Sequence, residues 1–306
     1  MNKREWLERT KSIGGSDCAA ILGKNPYKSA YDVWLEKTGK ISYDDAHFEN
    51  QATLTGKRLE PALIDFAESE TGLAFLRNMR EVSDEYPFLS AQFDGLTDCK
   101  KYGCEAKTSG IGSRGFPGDW GDPEEDETDI PEAYLLQCYH QLIIVPTIQY
   151  IVVPALIAGR GMILFRVHRN DEIQQAILEA EYKFWRDHVM TDTPPDTSGP
   201  SIDYAKKMPR FDGKIATIDS ELVDSWREAA ELRKAAQKQE DALKARVIGA
   251  LGDADRAIAG DAGVTYKGAV TRRIDTKMLK ERHPEIAEEV TRESVTRRLI
   301  YKSKGL

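Results

Sequence analysis

Residues 88–108, FLSAQFDGLTDCKKYGCEAKT, decide the expected fold. The stretch reads as two strands. Side chains alternate across a strand, so Glu105 and Lys107 share one face and Ala106 turns away. Asp94 is expected to end the preceding strand, where Gly95 lets the backbone turn tightly. Paired as a hairpin or near-hairpin, the strands bring both carboxylates to a volume that suits one or two hydrated divalent ions, and hard oxygen ligands favour Mg²⁺ or Mn²⁺. Lys107 would add a cation able to orient or deprotonate an attacking water and to offset charge on a phosphate. A surface hairpin with an ordinary Glu/Lys pair has the same short pattern, so the rest of the chain must decide.

Length and composition come next. With 306 residues, 41% hydrophobic and 31% charged, the chain can bury one substantial core and carry an appended unit. The expected division is a catalytic domain over 1–190, a linker over 191–217 and an extension over 218–306. No long apolar run occurs and MNKREWLERT has no apolar leader segment, which points away from membranes and secretion and toward the cytoplasm. Cys18, Cys99, Cys104 and Cys138 have neither zinc-site spacing nor disulfide density.

The net charge of −8 argues superficially against a nucleic-acid partner. Seven acids between Gly115 and Ile130 account for most of it, and the remainder carries −1. From Lys267 onward eleven basic residues face six acidic ones. An acidic chain can therefore still present a positive face to a phosphate backbone.

Working outward toward the N-terminus, Gly14-Gly15-Ser16-Asp17 is expected to open a short helix over 18–22, with Ser16 as N-cap and Gly23 as its stop. Free amides at such a start attract anions, and Arg9 could reach the same place; a plain capped helix is the alternative. A second short helix over 30–38 stops at Gly39. The pattern over 48–71 is helical, renewed at Pro61, with Glu60 either a helix-start carboxylate or a third acid in the metal site. Toward the C-terminus, residues 130–145 form a buried helix on which Gln137 and Gln141 lie one turn apart and need polar partners. A water, a phosphate, a carboxylate or a backbone group would serve. Strands over 148–156 and 162–168 and a helix over 171–190 complete the domain. Beyond TDTPPDTSGP, a charged helix over 220–251, a hairpin around Gly268, a helix over 278–289 and a strand over 297–301 are expected.

These stretches together resemble the YqaJ-type viral recombinase group of phage alkaline exonucleases, related to lambda exonuclease, within the PD-(D/E)xK nuclease superfamily. The resemblance rests on TKSIGGSDCAAILG with Arg9 before it, GKRLEP at Glu60, AQFDGL at Asp94, EAK at Glu105 to Lys107, and YLLQCYHQL at Gln137. It implies an α/β (α+β) fold: a central mixed β-sheet flanked by helices, the restriction-endonuclease-like core, with a small α+β extension. It further implies that Asp94, Glu105 and the Ala106 carbonyl hold Mg²⁺ (Mn²⁺ substituting), with Glu60 supporting the second ion. Lys107 would position the nucleophile, Gln137 would hold the water or a ligand, and Arg9 and Ser16 would bind the DNA 5′-phosphate. The implied enzyme is an exodeoxyribonuclease that uses two metals and digests one strand of linear double-stranded DNA from its 5′ end. Double-stranded DNA ends, a single-strand annealing protein and a ring-shaped homo-trimer are the implied partners, in a bacterial host cell, phage or prophage encoded.

Two rivals remain. A Cas4/RecB-like nuclease with an iron-sulfur cluster would need cysteines beyond Cys138, and none follows. A non-catalytic DNA-end-binding scaffold would be expected to have lost a member of the set Glu60, Asp94, Glu105, Lys107 and Gln137.

Overall fold

Short helices with sharp stops begin the chain in the computed structural model: α1 (Lys3–Thr10), α2 (Gly15–Ile21), α3 (Ala30–Lys37) and α4 (Tyr43–Ala46). The structure describes residues 3–46, 51–110, 120–196, 199–208, 210, 213–260, 262–270, 272, 274–292 and 299–301. Gly23 and Gly39 adopt φ of 70° and 67° and close α2 and α3. After each, the next residue's amide reaches back into the last turn, Lys24 N to Ala19 O at 2.7 Å and Lys40 N to Leu35 O at 2.9 Å. This glycine stop satisfies carbonyls that the helix end would otherwise orphan.

A longer helix, α5 (Gln51–Thr71), leads to β1 (Leu76–Val82), β2 (Ser90–Leu96), β3 (Tyr102–Cys104) and β4 (Lys107–Ser109). After α6 (Glu132–Ile144) come β5 (Tyr150–Ile157), β6 (Gly161–His168) and α7 (Asp171–Phe184), which continues as a π-helical turn, Trp185–Val189, before α8 (Ile202–Lys207). β1, β2 and β3 pair antiparallel; β3 and β4 both run parallel to β5, and β6 pairs antiparallel with β5 along its whole length. The sheet is thus mixed, and helices flank it. α6 serves as the crossover that a parallel pair requires.

The strand YIVVPALI is apolar without alternation because both its faces are covered. Ile151, Val153 and Ala155 join the larger core with Phe93, Leu142 and Phe165, whereas Val152 joins Ile64, Ala67, Phe75 and Cys104 under α5.

Several local expectations change. Asp94 lies inside β2, and the chain turns only at Thr97–Lys101, where the Thr97 hydroxyl accepts the Lys101 and Tyr102 amides. Gly95 serves a different end: a Cβ there would stand 2.8 Å from the Phe75 Cβ. Pro61 sits within one continuous helix and renews nothing. Ser16 is in the first turn of α2; Gly14 is the N-cap, and its amide donates to the Asp17 carboxylate at 3.0 Å. The expected linker is partly ordered on the first unit, since the Ser201 amide donates to Asp32 at 3.0 Å and Tyr204 is buried.

Contacts divide the chain into Met1–Pro209 and Arg210–Leu306. The second unit holds α9 (Ser220–Leu251), with the bounds its charge pattern suggests, then β7 (Arg256–Ala259), β8 (Ala262–Thr265), α10 (Thr276–Arg282) and α11 (Pro284–Val290). The hairpin lies about one strand earlier than expected, and Pro284 splits the last helix because it cannot continue the helical hydrogen-bond ladder. The expected closing strand falls partly outside the described residues, and 299–301 are not strand. No helix among the described residues is long and apolar enough to cross a membrane.

Candidate active site

The site is built at an interruption in the sheet. The line formed by β3 and β4 breaks at Glu105 and Ala106. Glu105 N still donates to Val152 O at 2.9 Å, whereas Ala106 N leaves the ladder and donates to Asp94 Oδ2 at 2.9 Å. The break therefore ties one candidate metal ligand to the backbone beside the other.

Glu105 is buried and gripped from three sides. Lys107 Nζ and Gln137 Nε2 both reach Oε1 at 2.6 Å, and Gln141 Nε2 reaches Oε2 at 2.6 Å. Lys107 also donates to Gln137 Oε1 at 3.0 Å and lies 4.8 Å from the centre of the Tyr134 ring. The one-turn spacing on α6 aims both glutamines at the same carboxylate, which answers the question of their partners. Gln141 is the functional neighbour that sequence reasoning left unassigned. Its signal was present: a buried amide beside a second at i+4.

Charge around these groups is unbalanced. Burial pushes the Asp94 carboxyl well above the usual range, and repulsion from Glu105 and Glu60 adds to it against the pull of Lys107. Glu60, from α5, is raised by burial and then by Glu105. Burial works against the charged form of Lys107, but Glu105 and Asp94 outweigh it and hold the ammonium protonated. Three hard carboxylates that repel one another fit a divalent cation, whose charge would relieve the repulsion. The residues that would hold it are Asp94, Glu105, Glu60 and the Ala106 carbonyl.

A cavity of about 200 Å³ opens beside this cluster and shares Gln137 with it. Arg9 and Ser16 both line it, as do Lys28, Lys37 and Arg80, cations that were not singled out in the sequence. Asp17 and Glu36 offset two of these four charges. Burial alone would raise Asp17, yet Lys28 at 2.8 Å and Lys37 at 2.6 Å hold its carboxyl well below the usual range. Gly15 lets α2 approach α6, since a Cβ there would stand 2.9 Å from the Gln137 Cγ. Gln137 thereby lies both in the cavity wall and against Glu105. The acidic segment past Gly121 is pinned at the sheet edge by Arg166 N to Glu127 O and Arg166 to the Glu127 side chain, at 3.0 and 2.8 Å; its beginning at Asp119 lies outside the described residues.

One other group could be mistaken for a metal centre. Cys18, His140 and Glu181 are buried with ligand atoms within 4.8 Å of one another. His140 Nδ1 lies 2.7 Å from Glu181 Oε1 and Nε2 lies 3.0 Å from the Ser90 carbonyl, which can only accept. Both ring nitrogens are committed, so the group joins α6, α7 and β2 as a structural pair.

A family model described as the YqaJ-like viral recombinase domain matches residues 5–147. The chain is similar to the uncharacterized protein YqaJ of Bacillus subtilis (strain 168), 30% identical over 308 residues that cover 97% of this chain and 93% of that one. Among solved structures it is similar to the alkaline exonuclease LHK-Exo from Laribacter hongkongensis, at 18% identity and a TM-score of 0.47, covering 62% of this chain and 94% of that one. A phage-related exonuclease from Haemophilus somnus 129PT matches at 15% identity and a TM-score of 0.40, covering 59% and 96%.

Proposed function

The chain belongs to the YqaJ-like viral recombinase family, and from that premise we propose that it is a divalent-metal-dependent nuclease acting on the ends of linear double-stranded DNA. It would hydrolyse one strand stepwise from the 5′ end and leave a 3′ single strand for recombination by strand annealing. One observation carries the reading: Asp94, Glu105, Lys107 and Gln137 converge beside a cation-lined cavity that contains Arg9 and Ser16.

Mg²⁺ ions bound at Asp94, Glu105, Glu60 and the Ala106 carbonyl would supply Lewis acidity toward water and phosphate, in the manner of two-metal hydrolases, with Mn²⁺ substituting. Lys107, hydrogen-bonded to Glu105 and Gln137, would orient or deprotonate the attacking water and offset charge on the phosphate. Gln137 and Gln141 keep Glu105 in one rotamer, which spares the site reorganisation at the moment of reaction. Arg9 and Ser16 would hold the 5′-phosphate and so fix which bond lies at the carboxylates. In keeping with the family likeness, a ring-shaped trimer and a single-strand annealing protein are the proposed partners; light scattering of the purified chain tests the first.

Digestion of linear duplexes bearing 5′-phosphate or 5′-hydroxyl ends, with and without Mg²⁺, tests the activity. The parent should release mononucleotides only with metal and attack 5′-hydroxyl ends more slowly. Lys107→Ala should lose roughly a hundredfold or more in rate, the scale for removing one preorganised electrostatic group. Undiminished activity in that variant would refute the site, and equal rates on covalently closed circles would refute exonucleolytic action.

A further inference from the structure

The cavity is braced by a part of the chain far from the family match. Residues 199–208 lie beyond the matched span of 5–147, yet they pack against α3 and the segment before it, which supply the cavity's lysines. The Gly199 carbonyl accepts from Ser29 Oγ at 3.2 Å, and the Ser201 amide donates to Asp32, the buried residue that completes the N-terminal cap of α3. Next along, the Tyr204 hydroxyl donates to Glu36 Oε1.

From that hydroxyl a continuous polar path runs to the candidate phosphate ligand. Lys28 Nζ donates to Glu36 Oε2 at 2.7 Å and to Asp17 Oδ1 at 2.8 Å. The other Asp17 oxygen accepts from Lys37 Nζ at 2.6 Å and from the Gly14 amide at 3.0 Å. Lys37 then donates to the backbone carbonyl of Arg9 at 2.9 Å. Side chains on the path are mostly shielded from water; Lys37 is 3% exposed and Asp17 6%. In such surroundings a charged hydrogen bond is strong and a missing one is costly.

We propose that Tyr204 is a positioning residue for the terminal-phosphate pocket, acting through Glu36, Lys28, Asp17 and Lys37 on the placement of Arg9. This rests on the reading of the pocket given under Proposed function. Tyr204 is not among the described residues that line the cavity. Its hydroxyl fixes the Glu36 carboxylate, so that one oxygen is left for Lys28 and the ammonium stays shared with Asp17. Loss of the hydroxyl would let Glu36 turn and draw Lys28 away, loosening the loop that carries Gly14 and the end of α1.

The test uses the full chain. Affinity for 5′-phosphate and 5′-hydroxyl duplex oligonucleotides is measured by fluorescence anisotropy without metal, and kcat and KM are measured with Mg²⁺, for the parent, Tyr204→Phe, Glu36→Gln and Arg9→Ala. Tyr204→Phe should lower the phosphate-over-hydroxyl affinity ratio about tenfold, the size expected for one hydrogen bond to a charged group. KM for the phosphorylated end should rise by a similar factor while kcat changes less than about twofold. A merely structural role would instead lower activity on both ends alike and leave the ratio unchanged. If Tyr204→Phe fails to fold, Glu36→Gln reads the same link and should lower the same ratio. An intact ratio in Tyr204→Phe or in folded Glu36→Gln, with Arg9→Ala abolishing it, would overturn the positioning role alone. A parent without phosphate preference, or an Arg9→Ala that keeps it, would overturn the pocket reading itself and this inference with it.

Discussion

Two buried aspartates in the same unit have opposite surroundings. Asp17 faces Lys28 and Lys37 and is held ionised well below the usual range. Asp94 is buried among Glu105 and Glu60, whose repulsion outweighs the pull of Lys107 and of the Ala106 amide, and its carboxyl is pushed well above that range. The first is a completed ionic cluster, closed on itself and serving to hold backbone in place. The second carries an excess of negative charge in a place where water cannot dilute it, and so has capacity left for a cation. Burial of an acid alone thus does not mark a reactive site; the balance of its neighbours does.

The contrast can be broken by removing one charge. Asp17→Asn leaves two shielded ammonium groups without their shared counter-ion and should cost about 3 kcal/mol or more in chemical denaturation. A cost under about 1 kcal/mol would mean the cluster is not closed as described. A smaller effect on stability is expected at Glu105: Gln141→Leu removes a donor to its Oε2 and should lower nuclease activity about tenfold while costing about 1 to 2 kcal/mol. Equal activity in that variant would show that Gln137 and Lys107 suffice.

The subtlest consequence is a pair of opposed pH slopes in metal-free protein. The Asp94 pKa is raised on folding, so the native state binds its proton more readily and stability should increase as pH falls from neutral toward the ordinary value of 3.8. The Asp17 pKa is depressed, so its contribution is full above 3.8 and is lost on further acidification. Asp94→Asn should make the upper slope shallower, the remainder coming from Glu60, whose carboxyl is also raised, without touching the lower one. Melting temperatures across pH 3 to 7 in the presence of a chelator read both, and an unchanged upper slope in the variant would dissolve the contrast.

Much of this was legible in the sequence where the cause is local. Gly23 and Gly39 announce helix stops because only a left-handed residue closes those turns cheaply, and α9 has the bounds its own charge pattern suggests. The order of elements and the facing of Glu105 and Lys107 follow from periodicity. Other features depend on partners distant in the chain. Ser16 looks like a cap, yet Gly14 takes that place because the Asp17 side chain folds back on its amide while two lysines from α3 and the segment before it stabilise the carboxylate. Residues 199–208 look like part of the linker over 191–217, since nothing local in their sequence reveals that Asp32 and Glu36 await them. Arg80 carries no motif; only the position of β1 brings it to the cavity.

The interruption between β3 and β4 has a use at the bench. The Ala106 amide is withdrawn from its neighbouring strand and points at Asp94 instead. Its proton resonance is therefore a built-in voltmeter for the site. Titrating acid or Mg²⁺ into isotope-labelled protein should move that single signal and change its solvent exchange before any product is formed.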